Sequence, residues 1–267
     1  MVMDGATIID VGGESTRPGA LEVDVEEELS RTIPVIKALR HHSHLHRQDI
    51  IISIDTRRSV VAREAVEAGA DIVNDVSGGT YDANMWSTVS SLQVPYIMMH
   101  MRGTPETMKS YCYYDPDVVT HVAQSLAQRS RMASEAAEGI RLWLQVLDPG
   151  IGFAKDVDSD LSLLKHLSGK FRQLLQHDYP VLIGPSRKSF IGHITGETDP
   201  SQRDYGTAAA CAAAVLVQAA RDNRMQDKNS GDGVVTTTTT QPTIIRVHNV
   251  KGLKQAIQVI DAINSAT

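Results

Sequence analysis

Short polar motifs at six places in the chain combine residue types that could do chemistry, and each motif lies at the end of an apolar run. The motifs are Asp10–Gly19, Ser53–Thr56, Asn74–Gly79, Leu147–Lys155, Gly184–Ser189 and Ile245–Val250. Arg17 in the first motif offers a guanidinium that suits an anion. Arg246 and His248 in the last motif are two residues apart on an extended segment, so they share one face. Together these cations favour a site for phosphate or pyrophosphate, and protonation of His248 would strengthen it.

The remaining motifs contain groups that could bind the edge of a polar heterocycle. Asn74 offers both a donor and an acceptor, and Lys188 adds a charged donor. Asp148 ends an apolar run, and a carboxylate buried there has to be paired, for example with a cationic or amidine-like ligand group. The residues alone therefore predict an enzyme that binds a polar heterocycle bearing phosphate groups.

Some of the motifs also have a simpler structural interpretation. Asp55 could cap the helix expected to begin near Arg58, and the Asn74 motif could be a turn closed by side-chain hydrogen bonds. Arg187 and Lys188 are adjacent cations, which either share an anion or carbonyl group or form a solvated basic turn.

The motifs are spaced by an alternation of predicted strands and helices. The predicted strands are Thr7–Val11, Ile50–Asp55, Ile72–Val76, Tyr96–His100, Leu142–Asp148, Val181–Ser186 and Ile244–His248. The predicted helices are Val25–Leu39, Ser59–Ala68, Val118–Ala137, Leu161–Leu175, Tyr205–Ala220 and Val250–Ile263. This alternation predicts an α/β fold with a parallel sheet. A barrel is favoured because no Rossmann glycine motif is present, and barrels bind ligands at the C-terminal ends of their strands.

Composition limits the function further. A chain of 267 residues suits one barrel domain spanning 1–267. With 26 basic and 32 acidic residues, the net charge of −6 does not favour a nucleic-acid partner. Two cysteines suit a reducing compartment, and no apolar run is long enough for a bilayer. No targeting segment is visible, so we expect a cytoplasmic protein, with a mitochondrial location left open.

Two segments have the composition of inserted loops. Arg40–Gln48 contains four histidines, which could form a metal site or a solvated loop. Residues 222–241 are polar and of low complexity, which predicts a flexible loop.

In order and approximate spacing, the motif set resembles the dihydropteroate synthase family, over nearly the whole chain except the two inserted segments. The resemblance implies a (β/α)8 barrel and a transferase of folate biosynthesis. Such an enzyme joins 4-aminobenzoate to 6-hydroxymethyl-7,8-dihydropterin diphosphate and releases diphosphate. It also implies Mg2+ as cofactor, sulfonamides as inhibitors and, in fungi, a place at the end of a multifunctional polypeptide. A homodimer is expected through the last helices, unless these simply cover the barrel.

The resemblance also implies roles for particular residues. Asp55, Asp148 and Lys188 would be catalytic, with Asp148 on the 2-amino/N3 edge of the pterin and Lys188 on its O4/N5 side. Asp55 would stabilise a cationic pterin methylene, because the bond to diphosphate breaks before the amine attacks. No residue is assigned to a metal. The substrate-binding residues implied are Thr16, Arg17, Pro18, Asn74, Met101, Asp148, Gly152, Phe153, Ser186, Lys188, Arg246 and His248.

One family feature has no counterpart in the sequence. Members begin with a first strand and a loop of the type Asn-Val-Thr-Pro-Asp-Ser-Phe-Ser-Asp-Gly, whose Asn contacts Mg2+ and diphosphate, whereas this sequence opens Met1-Val2-Met3-Asp4-Gly5. We therefore expect a seven-stranded barrel whose outer strands have unpaired edges. The alternative is a non-catalytic pterin-binding module. A pterin-barrel methyltransferase is disfavoured, since a methyl donor needs no diphosphate site.

Overall fold

Seven parallel strands form one curled sheet in chain order, as the expected barrel-type fold requires. The computed structural model describes residues 1–17, 19–41, 50–136, 139–175, 177–215 and 243–265. The strands are β1 (Ile8–Gly12), β2 (Ile51–Asp55), β3 (Ile72–Asp75), β4 (Tyr96–Met99), β5 (Gln145–Asp148), β6 (Val181–Ile183) and β7 (Thr243–Ile245). All seven predicted strands are confirmed, and among the described residues β1 and β7 are the outer strands.

Helices connect the strands and cover the convex face of the sheet. They are α1 (Val25–His41), α2 (Ser59–Glu67), α3 (Met85–Leu92), α4 (Val118–Glu135), α5 (Val157–His166), α6 (Arg172–Leu174), α7 (Ser189–Thr195), α8 (residues 204–215) and α9 (Val250–Ser265). Five of the six predicted helices correspond to α1, α2, α4, α8 and α9, as far as their residues are described. The sixth, predicted over Leu161–Leu175, is wrong as one continuous helix, because Gly169 interrupts it and separates α5 from α6. Helices α3 and α7 were not predicted. None of the described helices is both long and apolar enough to cross a membrane.

Local chemistry explains where several boundaries differ from the prediction. The helix expected from Leu161 begins earlier, at Val157, because Asp156 caps it by accepting a hydrogen bond from Ser159 N at 2.8 Å. Leu142–Leu144, predicted as the start of a strand, is a 3-10 turn that precedes β5. The loop predicted over Arg40–Gln48 is wrong at its start, because Arg40 and His41 are the last residues of α1. The rest of that segment and residues 222–241 lie outside the described residues.

The interior has an apolar layer inside the curl of the sheet and a second apolar cluster above it. Ile72, Ile97, Val146 and Leu182 come from four neighbouring strands and pack together inside the curl. The second cluster lies at the C-terminal edge and contains Val76, Met99, Met101, Met108, Phe153 and Ala154. Burial on both faces explains why the strands are apolar runs and do not alternate. The second cluster therefore packs directly against the polar residues at the C-terminal ends of the strands.

Candidate active site

The C-terminal ends of the strands meet at one edge and surround a small pocket. Five residues that the sequence analysis implicates in binding line it: Asn74, Asp148, Phe153, Lys188 and Arg246. They come from segments far apart in the chain and are brought together because parallel strands all end at the same edge. Met101 is buried beside Met99 and Phe153 in the apolar cluster beneath.

Asp148 is a buried carboxylate at the end of β5. Its Oδ1 accepts a hydrogen bond from Gly150 N at 2.7 Å. Burial raises the pKa of Asp148 to about 6, against the opposing effects of the Gly150 N–H and the Lys188 ammonium. Gly150 has φ +69°, and a Cβ there would lie 2.1 Å from the carbonyl oxygen of His100, so only glycine fits this turn.

Lys188 faces Asp148 from the loop after β6. Its Nζ lies 4.0 Å from the centroid of the Phe153 ring, which is cation–π geometry. Burial, followed by the repulsion of Arg246, lowers the pKa of Lys188 to about 8. A Cβ at Gly152 would lie 2.8 Å from Lys188 Cδ, so this glycine gives the lysine its space. The pocket therefore offers a carboxylate acceptor and an ammonium donor.

Arg246 joins the two ends of the sheet. Its Nε lies 2.8 Å from Asp10 Oδ2 and its Nη2 lies 2.9 Å from Asp55 Oδ2. Asn74 Nδ2 also donates to Asp10 Oδ2, at 3.2 Å. Burial and the nearby Asp10 raise the pKa of Asp55 to about 7, although Arg246 opposes the shift. Asp10 begins the first sequence motif, but no role was predicted for it.

Ser186 and His248 form a second polar contact at the mouth of the pocket. Ser186 Oγ lies 2.9 Å from His248 Nδ1, and His248 N donates to Ser186 Oγ at 3.2 Å. Burial lowers the pKa of His248, and the cations Arg187, Arg246 and Arg17 lower it further. His248 is therefore neutral near pH 7. Of the two residues predicted to hold diphosphate, Arg246 is thus the one that carries a positive charge.

Arg187 does not share an anion with Lys188. Its Nε and Nη2 donate to the two carboxylate oxygens of Asp204, at 2.8 and 3.0 Å. The two adjacent cations thus have separate partners, and only Lys188 enters the pocket. The interpretation that a ligand relieves their repulsion is wrong because Asp204, on α8, already does so for Arg187.

Lys155 and Asp160 stand behind the pocket and were not predicted. Lys155 is buried, donates to the carbonyl oxygen of Phe153 at 2.9 Å, and has a pKa lowered by burial to about 7. Asp160 accepts from Gly152 N at 2.7 Å, and burial raises its pKa to about 6. Lys155 could have been identified from the sequence, because it ends the same motif that contains Gly152 and Phe153. No signal pointed to Asp160, whose position depends on how α5 packs.

Other motif residues have different surroundings. Asp75 is wholly structural, since its carboxylate accepts from Ser77, Gly79 and the Tyr96 hydroxyl. Thr16 and Arg17 lie on the loop between β1 and α1, and Arg17 is exposed. Pro18 lies outside the described residues.

Comparison with known proteins agrees with this geometry. Residues 1–221 match the family model of pterin binding enzymes. The dihydropteroate synthase of Synechocystis is 40% identical over 263 residues, which cover 98% of this chain and 79% of that protein. The folic acid synthesis protein of Schizosaccharomyces pombe is 42% identical over 263 residues, which cover 98% of this chain but 32% of that protein.

A solved structure shows the same fold. The dihydropteroate synthase of Xanthomonas albilineans, crystallised with 4-aminobenzoic acid, superposes with a TM-score of 0.79 at 34% identity. The match covers 100% of this chain and 82% of that one. The chain therefore belongs to the dihydropteroate synthases, the folate-pathway transferases among the pterin binding enzymes.

The raised pKa of Asp148 predicts a pH-dependent stability. An acid whose pKa is about 6 when folded, against 3.8 ordinarily, holds its proton more tightly in the folded state. The free energy of unfolding therefore falls as the pH rises from about 4 to 6, by up to about 1.4 kcal/mol per pH unit from this group. Asp148→Asn should remove this contribution in urea denaturation across that range. The exposed Asp178→Asn is the control, and equal pH dependence of wild type and Asp148→Asn would contradict the prediction.

Proposed function

We propose that the described pocket binds the pterin of 6-hydroxymethyl-7,8-dihydropterin diphosphate and that 4-aminobenzoate attacks its methylene carbon. The C–O bond to diphosphate breaks, the N–C bond forms, and the amine nitrogen loses a proton. The observation that carries the proposal is the placement of Asp148 and Lys188 in one pocket with Arg246 at its mouth.

The pterin ring has edges that match the two charged groups in the pocket. Its 2-amino and N3 protons suit the carboxylate of Asp148, while O4 and N5 suit a donor such as Lys188. Phe153 and the methionines beneath supply an apolar surface for the ring faces. The Asp148 carboxylate loses hydrogen bonds to water when it is buried. Two charge-assisted hydrogen bonds from the pterin would replace them.

The diphosphate is the group that Arg246 and His248 would hold. In the described structure the Arg246 guanidinium is bound to Asp10 and Asp55. A diphosphate that draws Arg246 toward itself leaves the Asp55 carboxylate facing the pterin methylene. Asp55 then stabilises the positive charge that develops as the C–O bond breaks. Little acid–base help is needed, because an aromatic amine is already neutral at pH 7.

The expected Mg2+ does not fit a site built by the protein alone. No group of three metal-ligating side chains is gathered among the residues that the structure describes. Asp10 keeps one buried oxygen without a hydrogen-bond partner, but its other oxygen and that of Asp55 already bind Arg246. We therefore assign Mg2+ to the diphosphate substrate, which supplies the oxygen ligands that this ion prefers.

The assembly of the chain is also a proposal. Exposed apolar residues on α8 and α9, namely Tyr205, Val259 and Ile263, support a homodimer through these helices. The greater length of the Schizosaccharomyces pombe relative supports a place in a multifunctional folate enzyme.

Turnover by the purified chain is the direct test of the proposed function. Incubated with Mg2+, the pterin diphosphate and 4-aminobenzoate, the chain should release diphosphate and 7,8-dihydropteroate in equal amounts, as measured by chromatography and a coupled diphosphate assay. Pterin binding without turnover would instead identify a non-catalytic pterin-binding module. That outcome is consistent with an Arg246 that stays bound to Asp10 and Asp55.

Removal of the Asp148 carboxylate should abolish pterin binding. Asp148→Ala takes away the acceptor for the 2-amino/N3 edge, and the loss of one partner of a buried charged pair costs about 2–5 kcal/mol. Calorimetric titration with 6-hydroxymethyl-7,8-dihydropterin measures this, with exposed Asp178→Ala as the control. Unchanged pterin affinity in Asp148→Ala would refute the assignment.

Removal of Arg246 should weaken the diphosphate end of the substrate selectively. Arg246→Ala is expected to lower affinity for the pterin diphosphate by about 1.5–3 kcal/mol, the contribution of hydrogen bonds to a charged group. Affinity for the pterin without diphosphate should change much less. Exposed Arg141→Ala serves as the control, and an equal loss for both ligands would show that Arg246 acts on the pterin pocket as a whole.

A further inference from the structure

We propose that Arg57 and Arg58 are positioning residues for the loop that carries Thr16 and Arg17, and thereby for binding of 4-aminobenzoate. The role of that loop rests on the function proposed above, whereas its attachment is read from the contacts of the described residues. We call Arg57 and Arg58 the arginine anchor. The loop comprises residues 13–24, described except for residue 18.

The anchor grips the beginning of the loop at Glu14. Arg57 Nη2 lies 2.8 Å from Glu14 Oε1, and Arg57 Nε lies 3.2 Å from Oε2. Arg58 Nη1 donates to the same Oε2 at 2.8 Å. Both oxygens of one carboxylate are thus held by two guanidinium groups, and the bidentate contact with Arg57 fixes the direction of the side chain.

The same two arginines also grip the end of the loop. Arg58 Nη2 donates to Glu22 Oε1 at 2.9 Å and to the carbonyl oxygen of Val23. Arg57 Nη2 lies 3.5 Å from Glu22 Oε1. The Tyr81 hydroxyl bonds to Glu22, and the Arg57 guanidinium lies 4.0 Å from the centroid of the Tyr81 ring. The two ends of the loop therefore share one attachment.

Burial makes the Glu14 end of this attachment costly to break, whereas the Glu22 side chain at the other end is 56% exposed. The side chains of Arg57, Arg58 and Glu14 are 7–8% exposed, and that of Glu28, which also pairs with Arg58, is fully buried. Exposed ion pairs contribute little, but removal of one partner from a buried network leaves an unpaired charge. At Glu14 the arginine anchor is therefore a buried ion-pair network, and breaking it costs more than breaking an exposed ion pair.

Among the described residues, the middle of the loop has few contacts of its own. Leu21 is 89% exposed and Arg17 is exposed, and the backbone bond that ties this part to another loop is Gly19 N to Pro105 O at 3.2 Å. The positions of Thr16 and Arg17 therefore depend on how the loop ends are held. Since the anchor follows Asp55 after a single residue, the loop is tied to the same strand end that carries a catalytic carboxylate.

Arg57→Met is the sharpest test, because Arg58→Met would also strand the buried Glu28. The Michaelis constant for 4-aminobenzoate should rise about tenfold and that for the pterin diphosphate should stay within about twofold, which corresponds to selective loss of about 1.4 kcal/mol of binding. Hydrogen exchange in residues 13–24 should become faster. Arg57→Lys keeps the charge without the bidentate contact, so it should recover part of both effects.

Lys170→Met is the matched control, because it removes a solvent-exposed ion pair with Asp117 on another face. Unchanged exchange in residues 13–24 of Arg57→Met overturns the anchor. Faster exchange with equal changes in both Michaelis constants, or with none, overturns its role in 4-aminobenzoate binding. A wild-type chain without turnover counts against the proposed function alone, since the exchange measurement needs no activity.

Discussion

The guanidinium of Arg246 is the contact on which the arrangement of the site depends. It follows β7, yet it bonds to Asp10 on β1 and Asp55 on β2, so one side chain connects the outer strands of the curled sheet. Carboxylates withdrawn from water are expensive unless they are paired. The pairing thus stabilises two strand-end carboxylates. In the proposed function, it also places the cation for the diphosphate directly beside the carboxylate for the pterin methylene.

A second layer of charges supports the pocket from behind. Asp148 and Lys188 enter the pocket, while Lys155 and Asp160 hold the backbone of the loop that carries Gly152 and Phe153. Burial raises the pKa values of the two carboxyl groups and lowers those of the two lysines, so that all four lie closer to 7. Such shifts are common where charged groups are held ready for a ligand. Hydrogen bonds from a ligand would replace those that the pocket groups lose with water on burial. The burial that lowers stability in the free protein therefore favours binding.

Much of the fold follows from local sequence, and the exceptions have physical causes. Seven apolar runs predicted seven strands because both faces of a parallel sheet are buried. Helix α3 was missed because it is short and half of its residues are serine or threonine, although Met85, Val89 and Leu92 have the spacing of one helix face. It packs against α2. Leu142–Leu144 has the composition of a strand but forms a 3-10 turn. Residue type alone cannot distinguish a short apolar strand from a short apolar turn.

The sequence by itself determined the family, the seven strands, most of the helices and the charged strand-end residues of the pocket, because these depend on patterns within short segments. Only the tertiary structure decided which charges meet. Asp55 and Arg246 are 191 residues apart and form an ion pair, Arg187 turns away to Asp204, and Arg57 and Arg58 hold both ends of one loop. Such pairings arise from the curl of the sheet and the packing of helices, which bring distant segments within a few ångströms. The sequence can predict that a charged residue at the end of a buried strand is paired. Which residue it pairs with depends on the tertiary structure.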